Sequence, residues 1–90
     1  MMILAVFRSR AHSLDFAEKL RGYGIDCVTV SAPKEARIGC GLCVRFEERV
    51  FLRAQAILKV GGYSSFKGFY KVEFYGAQMR LTPYKRNFYQ

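Results

Sequence analysis

The chain is short of acid, of histidine and of long apolar runs, and each shortage excludes something. Against 15 Lys and Arg stand only 7 Asp and Glu, a formal net charge of +8. An anionic partner or ligand is the expected consequence. With one histidine, His12, and no second C-x-x-C, the four ligands of a structural zinc site cannot be gathered at the usual spacings. Neither a metal nor a cofactor is expected. The longest uninterrupted apolar run, Met1 to Phe7, falls far below the ~20 residues of a membrane-spanning helix. No cationic stretch precedes that run and no small-residue cleavage site follows it, so it does not read as a signal peptide. The expected location is the cytoplasm, away from membranes. There is no internal repeat and no low-complexity segment. Cysteine is sparse and odd in number, Cys27, Cys40 and Cys43, and in a reducing compartment structural disulfides are rare, so free thiols are expected.

What is present is enough for one compact domain, since 90 residues fall in the usual size range of a single domain and leave no room for two. Met2 to Phe7 is apolar on both faces and reads as a central strand. Ser9 can cap a helix carrying Ala11, Leu14, Ala17, Leu20 and Tyr23 at three-residue spacing, ended by Gly22 and Gly24. Ile25 to Val30 is rich in β-branched residues and gives a second strand, followed by a loop over residues 31 to 41. From Leu42 apolar Leu42, Val44 and Phe46 alternate with Cys43, Arg45 and Glu47, a half-buried third strand. Val50, Ala54, Ile57 and Leu58, widened by Phe51, form the stripe of a second helix with Glu47 and Glu48 at its start and Gly61 and Gly62 at its end. Phe66 to Tyr75 alternates again as a fourth strand.

The order βαββαβ is the split-βαβ arrangement of an α+β, ferredoxin-like sandwich: a four-stranded antiparallel sheet with two helices on one face. Residues 1–75 are expected to form that domain and residues 76–90 a basic, aromatic C-terminal tail. With the first and third strands taken as parallel neighbours, Cys40, Lys34, Arg37 and the tail residues Arg80, Lys85 and Arg86 are expected to gather at one edge.

Chemistry concentrates in Pro33-Lys34-Glu35-Ala36-Arg37-Ile38-Gly39-Cys40-Gly41-Leu42-Cys43. A cysteine between Gly39 and Gly41 has no neighbouring side chain to shield its sulfur. The nucleophile is the thiolate, favoured by nearby cations, for which Lys34, Arg37 and Arg45 are candidates. No helix starts directly after Cys40, so activation is expected from side chains alone. The bland alternative is a small residue in a tight turn, and Cys27, on an apolar strand, reads as a core thiol. Cys40 and Cys43 also form a C-x-x-C. Three residues of strand span about 10 Å, whereas a disulfide needs Cα atoms at about 4.4 to 6.8 Å, so a dithiol switch would require a turn where the alternation indicates strand.

The run SAPKEARIGCGLCVRF, preceded by strand, helix and strand, resembles a small bacterial family described as putative selenium or sulfur carrier protein-like, over roughly residues 2 to 75. Pro33, Lys34, Cys40 and Gly41 match its pattern of a proline, a basic residue, a polar stretch and a Cys-Gly pair leading into a strand. Ile38 and Gly39 depart from the small polar residues common there, and Cys43 stands where a small apolar residue is usual. The resemblance implies that Cys40 accepts sulfur or selenium as a persulfide or selenosulfide, with donor and acceptor proteins as partners, and that the protein is a carrier more than a stand-alone enzyme.

Two rival readings belong to other classes. Tyr70, Phe69, Tyr75, Lys67 and Lys71, with Tyr84, Lys85, Arg86, Phe88 and Tyr89, interleave rings and cations as RNA-binding sheets do, although the RNP1-type segment is missing from the third strand. An uncovered sheet face with Phe69 and Tyr75, or the tail, is a candidate homodimer contact.

Overall fold

The computed structural model describes residues 1–32 and 41–85. Its elements are β1 (Met2–Phe7), α1 (Arg10–Gly22), β2 (Val28–Ser31), β3 (Leu42–Glu47), a short 3-10 turn (Glu48–Val50), α2 (Phe51–Gly61), β4 (Phe66–Tyr75) and β5 (Gln78–Pro83). The strands make one sheet in the order β2-β3-β1-β4-β5, and every neighbouring pair is antiparallel. The fold is therefore α+β with five strands, one more than the sequence pattern indicated. The fifth lies in the segment read as tail: Gly76, at a left-handed φ of 64°, turns the chain after Tyr75, and Tyr75 pairs with Gln78 across a two-residue hairpin loop.

Strand direction is a second correction. β1 and β3 are antiparallel, with Met2 opposite Glu47 and Val6 opposite Cys43, where parallel neighbours were expected. β1 and β4 are antiparallel too, Leu4 facing Tyr70 and Phe7 facing Phe66. The end of β1 thus meets the starts of both β3 and β4.

Both helices pack on the face that carries Ile3, Ala5 and Phe7 of β1, Val44 and Phe46 of β3, and Phe69 of β4. α1 contributes Phe16, Ala17 and Leu20 and α2 contributes Phe51, Ala54 and Leu58. Rings meet mostly edge to face, as quadrupoles prefer: Phe7 lies 5.4 Å from each of Phe16, Tyr63 and Phe66, and Phe51 lies 4.8 Å from Phe69 and from Tyr84. On the other face Leu4, Val6 and Cys43 are buried, with Val30, Tyr70, Val72 and Leu81 packed against them. Phe69 consequently belongs to the helix-side core and is unavailable to an open-face patch.

The apolar stripe of α1 is Ser13, Phe16, Ala17 and Leu20, while Leu14 and Tyr23 are exposed at 49% and 66%. The expected three-residue spacing fails for a geometric reason. At 3.6 residues per turn each step of three falls about 60° short of a full turn, so residues 11 and 20 point to opposite sides. The i, i+3, i+4, i+7 set keeps to one side. Ser9 is the N-cap, its Oγ accepting from the His12 N–H at 3.2 Å. Gly62 ends α2 in the left-handed region, φ 62°, its N–H donating to the Leu58 carbonyl. Ile25 is buried and its N–H donates to the Leu20 carbonyl, so β2 begins only at Val28.

Outside the core, Tyr63 ties the segment before β4 to α1. Its hydroxyl donates to Asp15 Oδ2 at 2.5 Å, and Lys19 reaches the same carboxylate at 3.1 Å. The Tyr63 hydrogen bond and then Lys19 hold the Asp15 carboxyl below its ordinary range.

Phe16→Ala is expected to lower stability to urea by about 3–5 kcal/mol, as removal of a fully enclosed ring does. Leu14→Ala should change it by less than about 0.5 kcal/mol, the usual limit for an exposed position. Equal losses would return Leu14 to the core face.

Candidate functional site

The segment with chemical content enters β3 through Gly41. Pro33, Lys34, Arg37, Gly39 and Cys40 lie outside the described residues, whereas both ends of the connection that holds them are defined. Ser31 pairs with Leu42, and the Ala32 N–H donates to the Gly41 carbonyl at 2.9 Å. β2 and β3 thus form an antiparallel hairpin closed immediately outside residues 33–40. Gly41 is exposed, and a Cβ built on it would meet no atom within 4 Å.

The start of β3 is bonded to α1. Ser13, fully buried, donates its hydroxyl to the Leu42 carbonyl at 2.9 Å. Its position one helical turn before Phe16 and Ala17 puts it on the core stripe, and a hydroxyl on such a stripe needs a partner. This joins the first turn of α1 to the chain two residues after Cys40. Sequence reasoning found no helix N-terminus for the Cys40 segment because it searched the residues that follow; α1 arrives from earlier in the chain. The readable signal was a serine interrupting the i, i+3, i+4 stripe.

The same end of the sheet holds a further hydrogen-bonded group. Ser65 Oγ accepts from the Ser9 N–H at 3.1 Å and lies 2.6 Å from His12 Nδ1, while the Arg8 N–H donates to the Ser65 carbonyl at 2.9 Å. His12, in the first turn of α1, thus links that helix to the residue before β4.

Cys43 is buried within β3, opposite Val6 and Val30 and against Leu4 and Val6, on the face away from the helices. Extended pairing runs through Leu42 and Cys43, so the strand geometry expected from the alternation reaches the second cysteine of the C-x-x-C. Cys27 is half-buried against the helix-side core just before β2. Its thiol donates to the Ala17 carbonyl at 3.5 Å. Burial raises its pKa above the ordinary thiol value, and Asp26 adds to the rise against the opposing pull of Arg21. Cys27 lines a cleft of about 390 Å³ with Met2, Arg21, Asp26 and Glu47, at the other end of the sheet from Gly41.

Several cations stand apart from Gly41. Arg45 faces Leu4 and Val28, roughly 10 Å along β3 from Leu42 at 3.4 Å per residue. Arg80 faces Glu73 at the far end of β4, and β5 is separated from β3 by β1 and β4, about 14 Å at 4.8 Å per strand. Lys85 follows Tyr84, whose N–H donates to the Phe69 carbonyl, and it lines a cleft with Met1, Glu47 and Glu48. The expected meeting of the tail cations with the start of β3 is thereby corrected for Arg80, having rested on parallel β1 and β3, while Lys85 also lines a second cleft with Phe66 and Gly68 at the start of β4. Arg86, Phe88 and Tyr89 lie outside the described residues. Among the described residues no group of three or more His, Cys, Asp and Glu side chains is arranged to hold a metal ion, and no helix is long and apolar enough to cross a membrane.

Alkylation read by mass spectrometry across pH should show Cys27 reacting slowly at neutral pH and accelerating only above about pH 9, because its raised pKa keeps the thiol protonated through the neutral range. Rapid labelling of Cys27 at pH 7 would contradict its described environment. Ser13→Ala should cost about 1 kcal/mol, the net worth of a typical buried hydrogen bond.

Comparison with curated proteins and with solved structures finds no match in either. The sequence does match a family over residues 2–71, a span running from β1 into β4 and containing the whole 33–43 segment, and the chain belongs to that family, Putative Se/S carrier protein-like.

Proposed function

We propose that the protein carries sulfur or selenium on Cys40, taking it from a donor protein and delivering it to an acceptor. Membership of the carrier family over residues 2–71 is the observation that carries this reading. In the sulfur case the Cys40 thiolate attacks the outer sulfur of a donor persulfide. The donor S–S bond breaks, a new S–S bond forms on Cys40, and the donor cysteine leaves as a thiolate. No net oxidation occurs. Delivery is the same step with the acceptor thiolate as nucleophile.

Such a carrier needs an accessible thiol whose anion is favoured. The exposure of Gly41 and the open space around it support access at the neighbouring residue. The first turn of α1, bonded to Leu42 through Ser13, supplies the positive end of a helix dipole at the same sheet end, which favours negative charge there. Lys34 and Arg37 are proposed to add to that field, and Pro33 and Gly39 to shape the approach. Cys43 takes no part in release, in keeping with its burial in β3. The connectivity βαββαβ followed by β5 is read as a ferredoxin-like sandwich with an added edge strand, acting in the cytoplasm.

Incubation with a cysteine desulfurase and cysteine, followed by intact mass, is expected to show a gain of one sulfur atom that is abolished in Cys40→Ser and retained in Cys27→Ser. A gain that persists in Cys40→Ser, or no gain in the wild-type chain, would sink the reading.

A further inference from the structure

The first turn of α1 carries charge of the sign its position disfavours. A helix N-terminus exposes unsatisfied N–H groups and partial positive charge, which acidic side chains complement and cations oppose. α1 has no acidic residue in its first turn. Arg8, just before the cap, and Arg10, the first helical residue, instead add two exposed guanidinium groups. Lys67, exposed near the start of β4, adds an ammonium at the same sheet end, because Phe7 pairs with Phe66 and the Arg8 N–H donates to the Ser65 carbonyl. None of the three makes an ion pair with another described residue.

Most of the acidic side chains among the described residues collect at the other end. Glu47 faces Met2, the Glu48 N–H donates to the Met1 carbonyl, Asp26 shares the Cys27 cleft with Met2 and Glu47, and Glu73 lies one residue beyond the partner of Met2. Asp15, the described acid nearest the first turn of α1, is engaged by Tyr63 and Lys19. Among the described residues the sheet is polarised along its strands, with cations that make no ion pair near the end where the chain enters β3.

We propose that Arg8, Arg10 and Lys67 form a docking surface for an acidic protein surface, and the identification of that partner as the donor or acceptor of the carried atom rests on the carrier reading. Local stability would be served by acid at these helix positions. Cations there are explained by a ligand outside the molecule, since strongly charged patches raise association rates with oppositely charged partners. The other polyanion, nucleic acid, is disfavoured by the placement of aromatics. Single strands are held by exposed rings on which bases stack, and the most exposed rings among the described residues, Tyr23, Phe74 and Tyr75, lie at the end of α1 and the end of β4, away from these cations.

The test is an NMR titration of the full chain with an oligo-glutamate peptide, set beside an oligothymidylate of equal charge. Amide shifts are expected to centre on residues 8–11 and 65–68, to fade as salt shortens the Debye length to a few ångströms, and to need at least about fivefold more peptide in the triple variant R8Q/R10Q/K67Q. Shifts centred on Arg45 or Arg80, no shifts, or tighter binding of the oligothymidylate at this surface would overturn the proposal. R10E guards against loss of fold as an explanation. It should raise Tm by a few degrees through the helix dipole while weakening peptide binding, and a raised Tm with undiminished binding would also overturn it. Loading of Cys40 by inorganic polysulfide, which needs no docking, tests the carrier reading separately. A chain that binds the peptide but takes no sulfur keeps the surface and loses the carrier; one that takes sulfur but binds no peptide does the reverse.

Discussion

Strand β1 is buried on both faces and hydrogen-bonded along both edges. Ile3, Ala5 and Phe7 face the two helices, Leu4 and Val6 face the opposite cluster, and β3 and β4 pair on either side in antiparallel sense. With five of its six residues buried, its register is fixed from both directions, because a slip by one residue would exchange two unlike apolar sets. That fixed register brings the starts of β3 and β4 to the end of β1, from which α1 departs. The end of the sheet where the chain enters β3 is therefore assembled by one strand that has no polar side chain.

What collects there has a common electrostatic character. The positive end of α1, the Ser13 hydroxyl on Leu42, the paired Ser65 and His12 and the exposed Arg8, Arg10 and Lys67 lie at the end of the sheet where the chain enters β3 through Gly41. The acids are held mainly at the opposite end. A charge excess of eight is thus not a uniform coating, and its placement costs α1 the acidic first turn that helices favour. Conflicts between local stability and composition are where function is most readily sought.

Legibility of the sequence followed the range of the interaction involved. β3 was read at its observed start because alternation is a property of consecutive residues, and the same alternation covers Phe66–Tyr75. The Ser9 cap and the Gly62 stop are also local. The α1 stripe was missed because a spacing of three was followed where 3.6 governs, so Leu14 was placed inward and Ser13 overlooked. β5 was missed because Gln78–Pro83 was taken into the basic tail, although Met79 and Leu81 alternate there with Gln78, Arg80 and Thr82 and a glycine turn precedes them. The direction of β1 against β3 was misread, and the supposed meeting of Arg80 with the start of β3 went with it.

The sequence by itself determined β1, β3, β4 and the two helices with the Ser9 and Gly62 caps, the Cys40-Gly41 pair, and the family to which residues 2–71 belong. Only the tertiary structure decided which of these share an end of the sheet: α1 reaching Leu42 from behind, Cys43 turned into a buried cluster, Cys27 kept half-buried at the opposite end, and Arg80 of β5 kept away. The physical reason is that strand order and direction are set by burying both faces of β1 at once, an interaction among residues up to 70 positions apart that no local window of sequence contains.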